Sequence, residues 1–218
     1  MSQLTFKFPF KTTYSQKDFY VSSNNFAAYR LIEDWPNWSN KWININGPSG
    51  CGKSHLANIL KIQTKSLYVN AVDFNSSFLT KLENFECLII DNYKNNIEEI
   101  FLYTTLNQIN QLNKYIVINS EISVNNLSVE SKDLKSRLSS FTTLKIDLPT
   151  DDLLRVIISK AFSDKQIELN VRLLEYIIKN IDRSYEKVFK FIKDVDNESL
   201  SIGKPININL IKKILNNE

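Results

Sequence analysis

The feature that most constrains this chain is a glycine-rich octapeptide, Gly47-Pro48-Ser49-Gly50-Cys51-Gly52-Lys53-Ser54. It meets the pattern G-x-x-x-x-G-K-[ST] at every defined position, after an apolar run and before a segment with helical spacing. Only 4 glycines occur in the chain, and three of them stand in this octapeptide, where they let consecutive backbone N–H groups face an anion. We therefore expect a phosphate-binding loop, with Lys53 on the β- and γ-phosphates of a nucleotide and Ser54 on Mg²⁺.

Apolar runs alternate with segments of helical spacing as far as Ile146. The runs that predict strands are Trp42–Asn46, Ser66–Val69, Cys87–Ile90, Tyr115–Ile118 and Leu144–Ile146. Between the third and fourth runs, Leu102, Leu106 and Ile109 recur at helical spacing. This alternation predicts an α/β fold, a nucleotide-binding core with a five-stranded parallel sheet that helices cover on both faces.

The pattern changes at Leu148-Pro149-Thr150, and from Asp151 onward the sequence predicts only helices. Helices are expected to begin after Thr150, with Asp151 and Asp152 in the first turn, after Asn170 and after Asn207, and another spans Tyr185 to Val195. We expect the α/β core to occupy 14–148 and a small all-helical lid domain to occupy 149–218.

Polar residues follow two of the predicted strands. Asp91 comes directly after Cys87–Ile90, where a buried strand can deliver a carboxylate beside the phosphate loop to support Mg²⁺. The next residue, Asn92, cannot take a proton from the attacking water, so slow hydrolysis is expected. Asn119 follows Ile116–Ile118 and is a candidate contact for the γ-phosphate or the attacking water. A turn-capping role for Asn119 is the alternative.

Composition favours a cytoplasmic globular protein. The net charge of +3 comes from 27 basic and 24 acidic residues mixed along the chain, which does not by itself indicate nucleic-acid binding. No apolar run approaches the roughly 20 residues that cross a bilayer, and the N-terminus lacks the features of a signal peptide. Neither Cys51 nor Cys87 has the context of a disulfide. We expect no membrane association.

Four motifs come in the order and spacing of the bacterial replication initiator DnaA family, which the chain resembles over nearly its whole length. They are Gly-Lys-Ser-His-Leu (52–56), Ile-Ile-Asp-Asn (89–92), Ile-Val-Ile-Asn-Ser-Glu (116–121) and Leu-Lys-Ser-Arg-Leu (134–138). The resemblance implies an AAA+ P-loop core followed by a helical lid, with ATP or ADP and Mg²⁺ as cofactors. It also implies that His55 adjoins the nucleotide site and that Phe19 and Val21, in the stretch Asp18–Asn25, lie on the adenine side.

The resemblance implies three further roles. Asn119 matches the residue called sensor I, and Arg137 matches the arginine finger that completes a neighbouring subunit's ATP site, which allows a homo-oligomer. A surface arginine in a turn is the alternative for Arg137. Glu186 stands where the family has the sensor II arginine, so weaker nucleotide binding and weaker coupling to the lid are expected.

Within this family the chain resembles the Hda type of regulator, which lacks the helix-turn-helix domain that reads DNA. The sequence ends at Glu218, so we expect no sequence-specific DNA binding. The Asp91-Asn92 pair and the segment Lys204–Leu215 resemble that type. So does an N-terminal peptide over 1–13, in which Gln3, Leu4, Phe6 and Phe8 stand at the positions that contact the sliding clamp, with Phe6 in place of a leucine.

The resemblance thus implies two partners, the sliding clamp and DnaA, with weak or no intrinsic ATPase activity. For the N-terminal peptide, an edge strand or a frayed terminus is the alternative. Two other functions remain open: a DnaC-like helicase loader or another DnaA-type adaptor, and a P-loop small-molecule kinase. A kinase needs several arginines around its phosphoryl groups, and the chain has only five: Arg30, Arg137, Arg155, Arg172 and Arg183.

Overall fold

A computed structural model describes residues 19–167, 169–202 and 206–216 of the chain. These residues divide into two compact units, one ending at Asp147 and the other beginning at Leu148. The N-terminal peptide with Gln3, Leu4, Phe6 and Phe8 lies outside the described residues, as do Lys204 and Pro205.

The first unit is built on a five-stranded parallel sheet, which confirms the predicted fold class. Its strands are β1 (Trp42–Asn46), β2 (Ser66–Asn70), β3 (Cys87–Tyr93), β4 (Tyr115–Ser120) and β5 (Thr142–Lys145). Their order across the sheet is β2-β3-β4-β1-β5. Because parallel strands end at the same edge, the residues after β1, β3 and β4 meet at the carboxyl edge of the sheet.

Helices cover this sheet. They are α1 (Phe26–Glu33), α2 (Lys53–Gln63), α3 (Glu99–Gln111) and α4 (Lys132–Leu138). Leu102, Leu106 and Ile109 of α3 are fully buried in one cluster with apolar side chains of β3 and β4, as their helical spacing predicted. Burying each such side chain stabilises the fold by about 1.5–3 kcal/mol.

The second unit consists of helices over its described residues. They are α5 (Asp151–Ser163), α6 (Val171–Asn180), α7 (Tyr185–Ile202) and α8 (Ile208–Leu215). The side chains of Thr150, Asn170 and Asn207 accept hydrogen bonds from the first turns of α5, α6 and α8, which confirms the predicted helix starts. No helix in the described ranges is long and apolar enough to span a membrane.

Several boundaries differ from those predicted. β3 continues past Ile90 to Tyr93, β4 continues to Ser120, and β5 runs over Thr142–Lys145 instead of Leu144–Ile146. The strands continue because backbone pairing continues, as between Asn70 and Asp91, whatever the polarity of the side chains. The last helix before Gly203, α7, also extends beyond Val195 to Ile202.

Candidate nucleotide-binding site

The octapeptide Gly47–Ser54 joins β1 to α2, with Pro48–Cys51 forming the turn. Gly52, the N-cap of α2, has a φ of 99°, in the left-handed region that favours glycine. Gly47 is required by space, because a Cβ there would lie 2.5 Å from the carbonyl oxygen of Ile146. The loop therefore opens onto the N-terminus of α2, whose unpaired N–H groups suit an anion.

Lys53 is the first residue of α2, and its ammonium group turns back onto the loop. Its Nζ donates to the carbonyl oxygens of Gly47 (2.7 Å) and Pro48 (2.9 Å) and lies 3.7 Å from the Sγ of Cys51. The residue is only 7% exposed. A buried cation at a helix N-terminus makes the loop strongly favourable to a phosphate, which can replace the carbonyl oxygens as the partner of Nζ.

Asp91 lies near the end of β3 and is 1% exposed. Its Oδ2 accepts a hydrogen bond from the hydroxyl of Tyr68 (2.5 Å), and its Oδ1 accepts one from the Nδ2 of Asn119 (3.0 Å). Both donors are neutral, and no described basic side chain forms an ion pair with this carboxylate. A buried carboxylate held only by neutral donors is suited to a cation. The donor set therefore fits Mg²⁺, held by Asp91 together with the Ser54 hydroxyl.

Asn119 joins the phosphate loop to β3. Its Nδ2 donates to the backbone carbonyl of Lys53 (3.0 Å) as well as to Asp91, and its Oδ1 is buried with no hydrogen-bond partner among the described residues. Both partners of Nδ2 are acceptors, which fixes the orientation of the amide. The free atom is therefore an acceptor, and it can receive a hydrogen bond from water but not from a fully ionised phosphate.

Asn92 has an exposed side chain and a φ of 58°, at the irregularity in the pairing of β3 with β4. Asparagine is one of the few residues that adopt this left-handed conformation readily. The residue after Asp91 is thus an amide that has no basic group to accept a proton from water.

Phe19 packs over the start of α2. Its ring stacks on Tyr29 (5.7 Å between centroids), meets His55 edge-on (5.3 Å), and would lie 2.9 Å from a Cβ at Gly52. Val21 is half-buried two residues further on. The predicted adenine-side residue Phe19 is therefore in contact with the phosphate loop and with His55.

Arg137 lies on α4, in the same unit as the phosphate loop. It is half-buried, and no described residue gives its guanidinium a hydrogen bond or an ion pair. The N-terminus of α4 is held firmly, because the carboxylate oxygens of Glu99 accept from the backbone N–H groups of Glu130 and Ser131 (each 2.9 Å). The Oγ of Ser131 in turn accepts from the N–H of Leu134 (3.2 Å).

Glu186 is exposed in the first turn of α7, where its carboxylate is favoured by the helix dipole. The nearest arginine in sequence, Arg183, forms an ion pair with Asp151 (2.9 Å). The guanidinium of Arg183 is thus already paired within the second unit.

Two residues in contact with these groups were not predicted from the sequence. Tyr68 stands two residues before the end of β2 and donates to Asp91, and Glu99 begins α3 and caps α4. The sequence does place Tyr68 on a predicted strand, β2. Its contact with Asp91 could not be predicted without knowing that β2 pairs with β3. Glu99 gave no local signal, because its partners are about thirty residues away in sequence.

The sequence of this chain is similar to those of several known proteins. A family model described as RNA helicase matches residues 43–136, from β1 into α4. The initiator protein DnaA of Buchnera aphidicola is 25% identical over 217 residues, which cover 88% of this chain and 49% of that protein. An uncharacterised protein of Haemophilus influenzae is 24% identical, with 92% of each chain covered.

Solved structures of DnaA have the same fold as this chain. Domain III of DnaA from Thermotoga maritima matches with a TM-score of 0.75 and 20% identity, covering 96% of this chain and 98% of that one. AMPPCP-bound DnaA from Aquifex aeolicus matches with a TM-score of 0.68 and 20% identity, covering 86% and 66%.

The chain is thus similar in sequence to part of DnaA, and it shares the fold of DnaA domain III. It spans about half the length of the Buchnera DnaA that it matches. In this DnaA-related domain, Lys53, Asp91 and Asn119 form one hydrogen-bonded set at the carboxyl edge of the sheet.

Burial affects the thiol in the loop of this DnaA-related domain. Burial raises the pKa of Cys51, and the neighbouring Lys53 ammonium offsets only part of that rise. The thiol is therefore neutral around neutral pH and does not contribute negative charge to a site built for anions.

Proposed function

We propose that the protein is a nucleotide-binding regulator of the Hda type, which acts in the cytoplasm, docks on the sliding clamp and promotes ATP hydrolysis by DnaA. The observation that carries the proposal is Arg137, a half-buried arginine without a described partner on a helix whose start is held by Glu99 and Ser131. A guanidinium with no partner in its own chain is suited to bind a phosphate of a neighbouring protein, because its planar donors match the phosphate oxygens.

The protein's own nucleotide site would bind ATP or ADP. The loop amides and Lys53 would hold the phosphates, and Ser54 with Asp91 would hold Mg²⁺. Phe19, Val21 and His55 would line the adenine side. Asn92 cannot serve as a general base, so this site would hydrolyse ATP slowly and would mainly keep the domain in its working conformation.

In the proposed complex, Arg137 supplies the missing charge to the ATP site of DnaA. A guanidinium keeps its charge at any physiological pH and offers planar donors to the oxygens on which phosphoryl charge develops. Supplying such a finger is worth about 10³–10⁵-fold in rate. The regulator therefore needs no fast ATPase of its own.

One relative has about the extent that a regulator made of this domain would have. The chain matches 92% of the Haemophilus influenzae protein but only about half of the Buchnera DnaA. The Haemophilus influenzae protein is therefore made of little more than this domain. Docking through Gln3, Leu4, Phe6 and Phe8 would bring such a domain to the clamp.

The arginines weigh against a small-molecule kinase. Arg30 pairs with Glu33 and Asp34, Arg155 pairs with Asp152 and Glu175, and Arg183 pairs with Asp151. Among the described residues, only Arg137 and Arg172 have guanidinium groups free of such pairs. Two are too few to surround a pair of phosphoryl groups with guanidinium, as a kinase would need.

Pull-down of the full-length chain against clamp, DnaA and replicative helicase tests the proposal. We expect capture of clamp and DnaA, and loss of clamp when Gln3 and Leu4 are both replaced by Ala. Capture of helicase alone would instead support the DnaC-like loader, and phosphorylation of a small acceptor would support the kinase.

A further inference from the structure

We propose that Tyr68 is a positioning residue for the Asp91 carboxylate and that it sets the Mg²⁺ dependence of nucleotide binding. The proposal rests on the nucleotide site described under the proposed function, and it is independent of the clamp and of DnaA.

The placement of Tyr68 follows from the sheet. β2 pairs with β3 in parallel, with Tyr68 opposite Ile89 and Asn70 opposite Asp91. Residues two apart on a strand share a face, so Tyr68 lies on the same face as Asp91 and about 6.6 Å further back along the strand. A tyrosine side chain spans that distance, which brings the hydroxyl to the Oδ2 of Asp91 at 2.5 Å.

The carboxylate is therefore held from both neighbouring strands. Tyr68 on β2 donates to Oδ2, and Asn119 on β4 donates to Oδ1. Two donors on opposite oxygens fix the plane of the carboxylate, while each oxygen keeps a further lone pair for a cation or its bound water. Magnesium demands near-ideal octahedral geometry, so a fixed carboxylate plane lowers the cost of binding it.

The ring of Tyr68 also contacts α2, the helix that follows the phosphate loop. The Nζ of Lys61, on α2, lies 5.2 Å from the ring centroid, a cation–π contact, and Tyr68 is half-buried. Lys53 and Ser54 begin the same helix. Tyr68 thus connects the metal-holding carboxylate to the helix that provides the other predicted ligand.

The test uses the full-length protein and calorimetry with ADP, once with Mg²⁺ and once with excess EDTA. We expect Tyr68→Phe to lower the Mg²⁺-dependent gain in affinity by about tenfold, since a hydrogen bond to a charged group is lost. Affinity in EDTA should stay at the parent value. Tyr115→Phe is the matched control, because that hydroxyl donates to the Pro36 carbonyl (3.0 Å) and Tyr115 begins β4, at the amino end of the strands and not at the carboxyl end that carries the site.

A second arm separates positioning from general packing. In an Asp91→Asn background, Tyr68→Phe should have no further effect on the Mg²⁺ dependence, because the carboxylate that it positions is gone. An unchanged Mg²⁺ gain in Tyr68→Phe, an equal loss with and without Mg²⁺, or a parent whose affinity ignores Mg²⁺ would each overturn the proposal. A parent that binds Mg²⁺–ADP as expected but never stimulates DnaA would overturn only the proposed regulator.

Discussion

At the scale of single residues, the site is a set of buried and half-buried polar groups joined by hydrogen bonds, with the Oδ1 of Asn119 left unpartnered among the described residues. The ammonium of Lys53 donates to a carbonyl oxygen of its own loop, and the amide of Asn119 donates to the backbone carbonyl of Lys53 and to Asp91. The hydroxyl of Tyr68 donates to the other carboxylate oxygen of Asp91. Burial makes every one of these contacts matter, because an unpaired buried group costs about 1–3 kcal/mol. Substitutions here should therefore act on ligand binding strongly and specifically.

Lys53→Ala should weaken nucleotide binding by at least about tenfold, because it removes the charge-assisted contact to phosphate. Isothermal calorimetry with ADP measures the effect. Lys65→Ala, at an exposed lysine just before β2, is the matched control and should bind like the parent. Equal affinity in Lys53→Ala and parent would remove the phosphate loop from the account.

Intrinsic ATP hydrolysis should be well below about one turnover per second, because an amide stands where a general base is needed. Asn92→Asp should raise the rate, since it adds a carboxylate directly after Asp91. Asn96→Asp places the same charge in the turn after β3 and should leave the rate unchanged. A parent that already hydrolyses ATP at about one per second or faster contradicts our interpretation of Asn92.

Both cysteines should resist thiol reagents in the folded protein. Burial raises the pKa of Cys51 and of Cys87, so the reactive thiolate is scarce at about pH 7 and increases only at alkaline pH. Labelling followed by mass spectrometry should be slow at about pH 7, faster at about pH 9, and complete after denaturation. Rapid labelling of folded Cys51 at neutral pH would show that the loop is more open than described.

At the scale of elements, the carboxyl edge of the sheet was predictable but its contacts were not. The octapeptide and the apolar runs predicted a loop between β1 and α2, the five strands and the positions of Asp91 and Asn119 at the strand ends, because periodicity and glycine usage are local signals. Tyr68 and Glu99 act through strand order and helix packing, which no local pattern encodes. The predicted strand ends were also wrong, because backbone pairing between strands continues through polar residues such as Asp91, where the apolar pattern stops.

Glu99→Ala should loosen the start of α4. The change leaves the N–H groups of Glu130 and Ser131 without their carboxylate acceptor, and because water can reach them the cost should be about 0.5–1.5 kcal/mol of stability. Hydrogen exchange at these two amides should accelerate, while ADP affinity stays near the parent value. Glu98→Ala removes a neighbouring exposed carboxylate and serves as the control. Unchanged exchange in Glu99→Ala would show that α4 is held by other contacts.

At the scale of the whole molecule, we propose that the protein combines a nucleotide site of slow hydrolysis with an arginine, Arg137, that acts in the ATP site of another protein. Among the described residues, no side chain forms an ion pair with Arg137, so its guanidinium is available to a partner protein. In this proposal, nucleotide bound at the phosphate loop would keep the domain in its working conformation, and the N-terminal peptide would bind the clamp. The nucleotide site, Arg137 and the N-terminal peptide can each be disrupted without disrupting the other two.

The most direct measurement is the rate of ATP hydrolysis by DnaA on clamp-loaded DNA, with the parent, Arg137→Ala or Arg172→Ala added. Arg172 is the matched control, because its side chain is exposed on α6. We predict that the parent and Arg172→Ala stimulate hydrolysis, and that Arg137→Ala loses ~10³-fold or more of the stimulated rate while still binding nucleotide and clamp. Stimulation by Arg137→Ala equal to that by the parent would contradict the central claim.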